Sequence, residues 1–335
     1  MNTLKPHIEN FLNDQTNLDV MTYLAKGEPS EKITKKIEIK PLFLESRINF
    51  IKKCGLISFG SWNVDVNALG MIKTFEFCDY NEEGWNKLFE KNFFLSYFSQ
   101  IEIGKIKYLA MYTFPEEIKD KIGFEMSSWY YTFPSFKAPF FRNDFSKEKF
   151  LELYDEETNE NPLPSRGEKI ENPSLIDFYI CRYVQLEVGA TDLKKYAGRM
   201  KKEIGNIIDI SYDEVIKHYQ MLKEKNIIYR VSPLNFTNFS FVSFYCITSL
   251  RKVFKLMKTL NKFNILTGIS FMRGKKSFLI IHCPHESRNT IIRIFDQLNR
   301  ESEIYFITKI YENRGFPYKY YLEKFKVSQR NLAGR

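Results

Sequence analysis

Apolar positions along the chain recur with two periods, and the change from one period to the other occurs twice. Over Asn17 to Lys26 the residues Leu18, Met21, Tyr23, Leu24 and Ala25 predict a short helix closed by Gly27. Glu28-Pro29-Ser30-Glu31 opens a second helix with Ile33 and Ile37 inward, proline being tolerated in a first turn. A third begins at Pro41 and carries Leu44, Ile48 and Ile51 at i, i+4 and i+7. It ends at Gly55, a residue suited to the left-handed position past a helix. Leu56 to Trp62 then reads as a strand and a tight turn, the wing of a trihelical segment. From Met71 alternation takes over. MIKTFEFC is a strand, Glu82 to Lys91 a helix, and FFLSYFSQIEI with KIKYLAMYTF a hairpin around Gly104. PEEIKDKI is a short helix and FEMSSWYYTF a closing strand. That β-α-β-β-α-β order belongs to ferredoxin-like domains.

The plan then repeats. Helices are expected over Leu175 to Glu187, Thr191 to Ile204 and Ser211 to Lys225, with Ile227 to Arg230 opening a second wing. FSFVSFYCIT, LRKVFKLMKTLNKF, NILTGISFMR, KKSFLIIHC, the helix from Pro284 to Arg300, and EIYFITKIYE restate the β-α-β-β-α-β order. Sliding the first copy by 171 residues sets Leu44 on Val215, Ile51 on Leu222 and Ile57 on Ile228. The expected fold is α+β, two winged helix-turn-helix domains each followed by a ferredoxin-like domain, a pseudo-dimer in one chain. The expected segments are 1–66 and 67–143 for the first copy, 144–173 for a linker, and 174–236 and 237–315 for the second. A basic tail at 316–335 ends the chain.

Charge sharpens this division. Residues 1–143 hold 18 basic and 18 acidic side chains, 144–173 hold 4 and 9, and 174–335 hold 28 and 14. The linker is acidic, with DEETNENPLPSRGEKIENPS poor in apolar residues, and the second half carries the excess positive charge, which suits a polyanionic partner. No apolar run reaches membrane-spanning length, and MNTLKPHIEN has no apolar leader core, so a cytoplasmic protein is expected. The five cysteines are widely spaced without a C-x-x-C, which reads as buried thiols rather than a disulfide or zinc framework. His282-Cys283-Pro284-His285 hints at a metal or haem ligand, although at a strand-to-helix junction a Cys and two His are more often packing and capping groups. No G-x-G-x-x-G, phosphate-binding loop or G-x-S-x-G is present, and neither a cofactor nor a metal is expected.

The first copy resembles the leucine-responsive (Lrp/AsnC, feast/famine) regulators of bacteria and archaea. The carriers are LDVMTYLAKGEPSEKITKKI, LESRINFIKKCGLIS and VDVNALGMI, in which Arg47, Ile48, Ile51, Gly55, Ile57, Asp65, Leu69 and Gly70 fall on the family pattern. The second copy is similar through VIKHYQMLKEKNIIYR, with Asn226 in place of the glycine. The resemblance implies sequence-specific binding of double-stranded DNA, transcription regulation, nucleoid association, a small-molecule effector at the α/β domains and homo-oligomers. It implies a binding module rather than an enzyme. In this reading Phe43, Ser46, Arg47 and Asn49 face the major groove, while Lys35, Lys36 and Lys40 hold phosphates. Lys194, Lys195, Arg199, Lys217, His218, Gln220 and Arg230 are the corresponding residues of the second copy. Arg251, Lys252, Lys255, Lys258 and Lys262 line one face of a later helix, as a solvated surface or a patch for DNA or an acidic partner. Two alternatives share the architecture. One is a siroheme-decarboxylase-like tetrapyrrole enzyme built from two fused regulator-like halves, and the other is a protein-interaction scaffold on the transcription machinery.

Overall fold

A computed structural model describes residues 5–26, 28–56, 62–78, 94–103, 105–116, 124–127, 130–131, 136–140, 144–163, 166–186, 192–230, 241–272, 276–313 and 322–323. The expected wing turn at 57–61, the helices over Glu82 to Lys91 and 117–122, the turns at Gly104 and Gly274, and most of the 316–335 tail lie outside these residues. The chain is mixed α+β and divides into two compact units, each assembled from three separated stretches. The first unit holds Met1–Gly60, Trp129–Pro164 and Arg230–Phe306, and the second holds Ser61–Ser128, Ser165–Tyr229 and Ile307–Arg335.

In the first unit, α1 (Lys5–Leu12), α2 (Gln15–Ala25), α3 (Ser30–Lys36) and α4 (Pro41–Cys54) pack on one another. Asp14 caps α2 by accepting from the N–H groups of Thr16 and Asn17, satisfying donors a helix start leaves open. Leu44 and Ile51 of α4 are buried with Leu18, Met21 and Ile33, and Ile48 packs at the margin of this core. The helix α1 carries no signal used above, yet its Leu12 is wholly buried there.

The same unit contains β6 (Tyr130–Tyr131), α5 (Lys147–Glu156), β8 (Phe241–Thr248), α9 (Val253–Asn261), β9 (Leu266–Phe271), β10 (Ser277–Pro284) and α10 (Arg288–Leu298). The strand β11 (Glu303–Asn313) begins in it. Its strand order is β11-β8-β10-β9-β6. One expectation is corrected here. FEMSSWYYTF is not one strand: its first part is β5 (Phe124–Met126), beside β2 (Met71–Cys78) in the second unit, and its last is β6, beside β9. The segment 144–173 also contains a helix that the sequence reading did not assign. Ser146 caps α5, and α5 buries Phe150 and Tyr154 against α9 and α10 because its two aromatics fall four residues apart on one helical face.

The second unit contains β1 (Trp62–Val64), β2, β3 (Leu95–Ile103), β4 (Lys105–Pro115) and β5. It also holds the helices α6 (Leu175–Leu186), α7 (Leu193–Ile204) and α8 (Tyr212–Glu224), and β7 (Ile228–Arg230), which pairs with β1. The order β5-β2-β4-β3 matches β11-β8-β10-β9, and both read fourth, first, third, second along the sequence. The ladders agree rung by rung. Met71 faces Pro115 as Phe241 faces Pro284, and each ladder has eight rungs counted from that pair. The helices α6, α7 and α8 share a core with Trp62, Val64, Val66, Leu69 and Met71. The end of the linker is strapped over this joint: Gly167 N–H donates to Asp65 at 3.0 Å, and Ile170 N–H donates to the Ala68 carbonyl at 2.8 Å. A Cβ at Gly167 would stand 3.1 Å from that of Ala68, so only glycine passes without displacement.

Gly55 closes α4 in the left-handed conformation, φ 61°, and Asn226 follows α8 at φ 52°. Leu56 N–H donates to the Ile51 carbonyl as Ile227 N–H does to that of Leu222, so the same cap closes both helices. Asparagine tolerates this region better than other residues with a Cβ. Asn226→Ala is expected to cost about 1 kcal/mol, read as a lowered denaturation midpoint, whereas Asn226→Gly should leave stability equal or higher.

Candidate functional site

The expected DNA-reading residues of the first copy divide into free and engaged groups. Lys35, Lys40, Phe43, Ser46 and Asn49 are exposed on α3, at its junction with α4 and on α4, Phe43 at 55%. Arg47 is half-buried. Its Nε donates to Asn17 Oδ1 at 2.6 Å and its Nη1 to the Phe43 carbonyl at 3.4 Å, which holds the guanidinium against α2. Lys36 pairs with Glu28 at 2.7 Å and lies 4.8 Å from the centre of the Tyr23 ring.

In the second copy Lys195, Lys217 and Gln220 are exposed. Lys194 and Arg199 are also exposed but rest over the rings of Tyr212 and Tyr183. Arg230 stands on β7, its side chain outside the description. His218 is turned inward. Its Nδ1 lies 2.7 Å from Asp177 Oδ1, and Asp177, 2% exposed, also accepts from the N–H and hydroxyl of Ser174 through Oδ2. The bond to Asp177 outweighs burial and raises the His218 pKa.

The basic face of α9 is largely covered within its own unit. Lys255 is buried, donates to the Asp155 carbonyl at 2.9 Å and lies over the Tyr154 ring. Lys258 and Lys262 pair with Glu157 at 3.0 and 2.6 Å. Burial pushes Glu157 up, but the bonds from Lys262 and Lys258 and from Thr158 N–H bring it down to about 2. The acidic partner of these lysines is the chain's own linker.

The sheets carry polar groups on otherwise apolar faces. On the third rung of β8·β10, Ser243 faces His282, and Ser243 Oγ lies 2.7 Å from His282 Nδ1. Directly opposed residues and their second neighbours along a strand share a face, so Tyr245, Ile247, Phe278, Ile280 and Tyr305 accompany His282. Tyr245, Phe278 and Tyr305 are buried, and the Tyr245 and Phe278 ring centres are 5.1 Å apart. Burial lowers the His282 pKa to about 4, leaving the imidazole neutral near pH 7. On the third rung of β2·β4, Lys73 faces Thr113 and shares its face with Met71 and Phe75. Burial lowers the Lys73 pKa to about 8 against the opposing attraction of Asp65.

Asp177, Lys73 and Ser243 were not singled out from the sequence. Only Lys73 had a signal, a charge in register with the apolar positions of MIKTFEFC. The half-buried partners of Asp177 and Ser243 lie 41 and 39 residues away. His285 is exposed while Cys283 is buried, and among the described residues no group of three or more His, Cys, Asp or Glu is arranged to hold a metal ion.

No protein family matches the sequence, and no curated protein matches it. Among solved structures, the chain is similar to the siroheme decarboxylase NirDL, at 10% identity and a TM-score of 0.49, covering 95% of this chain and 100% of that one. It is also similar to that enzyme in complex with an iron-uroporphyrin III analogue, at 11% identity and a TM-score of 0.47, covering 93% and 98%. Both of these solved structures are of an enzyme, against the expectation of a binding module rather than an enzyme. No described helix is long and apolar enough to cross a membrane.

Proposed function

We propose that the chain is a tetrapyrrole-handling enzyme built from two regulator-like halves. The carrying observation is His282, a neutral imidazole set in an aromatic sheet face and turned by Ser243. A metal ligand needs an unprotonated ring nitrogen, and a hydrogen bond to the other nitrogen orients it. The flanking Tyr245, Phe278 and Tyr305 give it the apolar, aromatic surroundings that suit a macrocycle. The engagement of Lys36, Arg47, His218 and the α9 lysines within the protein weighs in the same direction, because it removes cations from the expected DNA surface. A tetrapyrrole is the ligand type named for the iron-uroporphyrin complex above, and decarboxylation of its carboxylate arms is the reaction class that reading brings. The identical strand orders, the matching eight-rung ladders and the shared left-handed caps support a tandem duplication. In it each copy comprises a winged-helix and a ferredoxin-like segment, with the joints near 66, 143, 173 and 236.

Titration of the purified chain with iron uroporphyrin III is expected to shift the Soret band. His282→Ala should weaken that binding at least about tenfold. An unshifted band with the unaltered chain, or equal binding by the variant, overturns the reading.

A second reading is favoured by one observation, the outward set Lys35, Lys40, Phe43, Ser46 and Asn49 beside α4. It is base-reading of duplex DNA, with binding that weakens steeply as salt rises. A random-pool DNA selection that enriches no motif removes it.

A further inference from the structure

Helix α7 carries five cations within nine residues, Lys194, Lys195, Arg199, Lys201 and Lys202, and all five are exposed. Helical spacing sets them on one side of α7, opposite the buried Tyr196, Met200 and Ile204, along about 12 Å of its axis. The neighbouring carboxylates are engaged elsewhere. Asp192 accepts the Lys195 N–H, and Glu203 accepts from Arg182 at 2.8 Å and from the Tyr183 hydroxyl at 3.1 Å. Among the described residues no carboxylate pairs with Lys194, Lys201 or Lys202. In the first copy, by contrast, Lys32 and Lys36 of α3 both pair with Glu28.

Two further residues mark this face. Gly198 lies in the middle of the cationic arc, exposed, and a Cβ there would meet nothing within 4 Å. A glycine inside a helix costs about 1 kcal/mol against alanine, and the surrounding fold gives no steric reason for it. What it supplies is bare backbone that another chain can approach closely. Tyr212, in the first turn of α8, is 40% exposed, and its ring centre is 6.0 Å from the Lys194 ammonium. Spaced negative charges on a slender backbone, with a flat ring to stack on Tyr212, are the ligand chemistry that fits. Asp213 and Glu214 weigh against a duplex, since inserting the start of α8 into a major groove would bring both acids against phosphates. We propose that α7 and Tyr212 form a docking track for single-stranded nucleic acid. Lys194, Lys201 and Lys202 hold phosphates, Gly198 lets the sugar–phosphate backbone lie against the helix, and an unpaired base stacks on Tyr212. The track goes beyond the tetrapyrrole reading and does not depend on it.

The test follows the fluorescence anisotropy of labelled oligouridylate and oligothymidylate, each about twelve nucleotides long, with the full chain over a salt series. Affinity is expected to fall as salt rises. Replacing Lys194, Lys201 and Lys202 together by glutamine should reduce the log–log salt slope by about 2. Tyr212→Ala should weaken binding about tenfold and leave the slope unchanged. Gly198→Ala should bind several-fold more weakly although its denaturation midpoint rises. The track is overturned if neither oligonucleotide binds, if the triple variant keeps the parent's slope, or if Tyr212→Ala or Gly198→Ala binds like the parent. It is also overturned if a duplex of the same length, or polyglutamate, loses as much affinity in the triple variant as the single strand does.

Discussion

Replacing Asp177 by alanine is expected to destabilise the second unit by about 3–5 kcal/mol, the range found when one partner of a buried charged pair is deleted. Asp177 ties the start of α6 to α8, accepting two bonds from Ser174 and one from His218. Its loss leaves the Ser174 N–H and the His218 ring without their partner in a nearly water-free position. The effect is pH-dependent, with a definite sign. The folded state holds His218 at a raised pKa, so the pair's contribution is fully present below the unfolded histidine value, about 6.5. It declines as pH rises through the folded value. Denaturant midpoints measured from pH 5 to pH 9 should therefore fall across that window for the unaltered chain, and the step should flatten in Asp177→Ala. An equal step in both proteins would show that the Asp177–His218 bond does not set the titration.

Phe150→Ala should be nearly as damaging to the first unit, about 3–5 kcal/mol, the usual cost of emptying a buried phenylalanine site. Phe150 has no exposed surface and meets the rings of Phe145, Tyr154 and Phe263. Truncating it unseats α5 from α9. The ion pairs of Lys258 and Lys262 with Glu157 would loosen with it, and these exposed or part-exposed pairs add little by themselves. Calorimetry and proteolysis near Asn159 are the appropriate measurements. A variant that melts like the parent and resists cleavage equally would mean that α5 does not hold the linker in place.

The sequence made the helices of the first copy legible because each carries its own punctuation. Pro41 and Gly55 bracket α4, and both act as their chemistry suggests. The same holds for Ser211 and Glu214, which form a reciprocal capping box at the start of α8. The helix α5 went unassigned because the dominant signals of its segment, acidity and proline, concern solubility and turns, while Phe150 and Tyr154 reveal their burial only against distant partners. FEMSSWYYTF misled for a related reason. Its alternation is genuine, but the choice of neighbouring strand lies in residues more than a hundred positions away, Gly268 and Ile269 for β6. The candidate DNA residues were chosen by charge and helical phase, which specify direction from the helix axis but not whether Asn17, Glu28 or Asp177 waits there. The Ser243–His282 rung was visible only as a histidine-rich run, because a strand's cross-neighbour cannot be known from one strand.

Because the stretches of the two units alternate along the chain, biosynthesis cannot finish one half before starting the other. The first unit awaits Arg230–Phe306, and the second draws on Ile307 onward. The first remains incomplete until Phe306 has been made and the second until the residues after it follow, with much of the apolar surface of β2, β3 and β4 already outside the exit tunnel. Such an order favours slow maturation and a need for chaperones. It also means that a gene split at the linker would yield two polypeptides that have to exchange segments before either becomes a stable object.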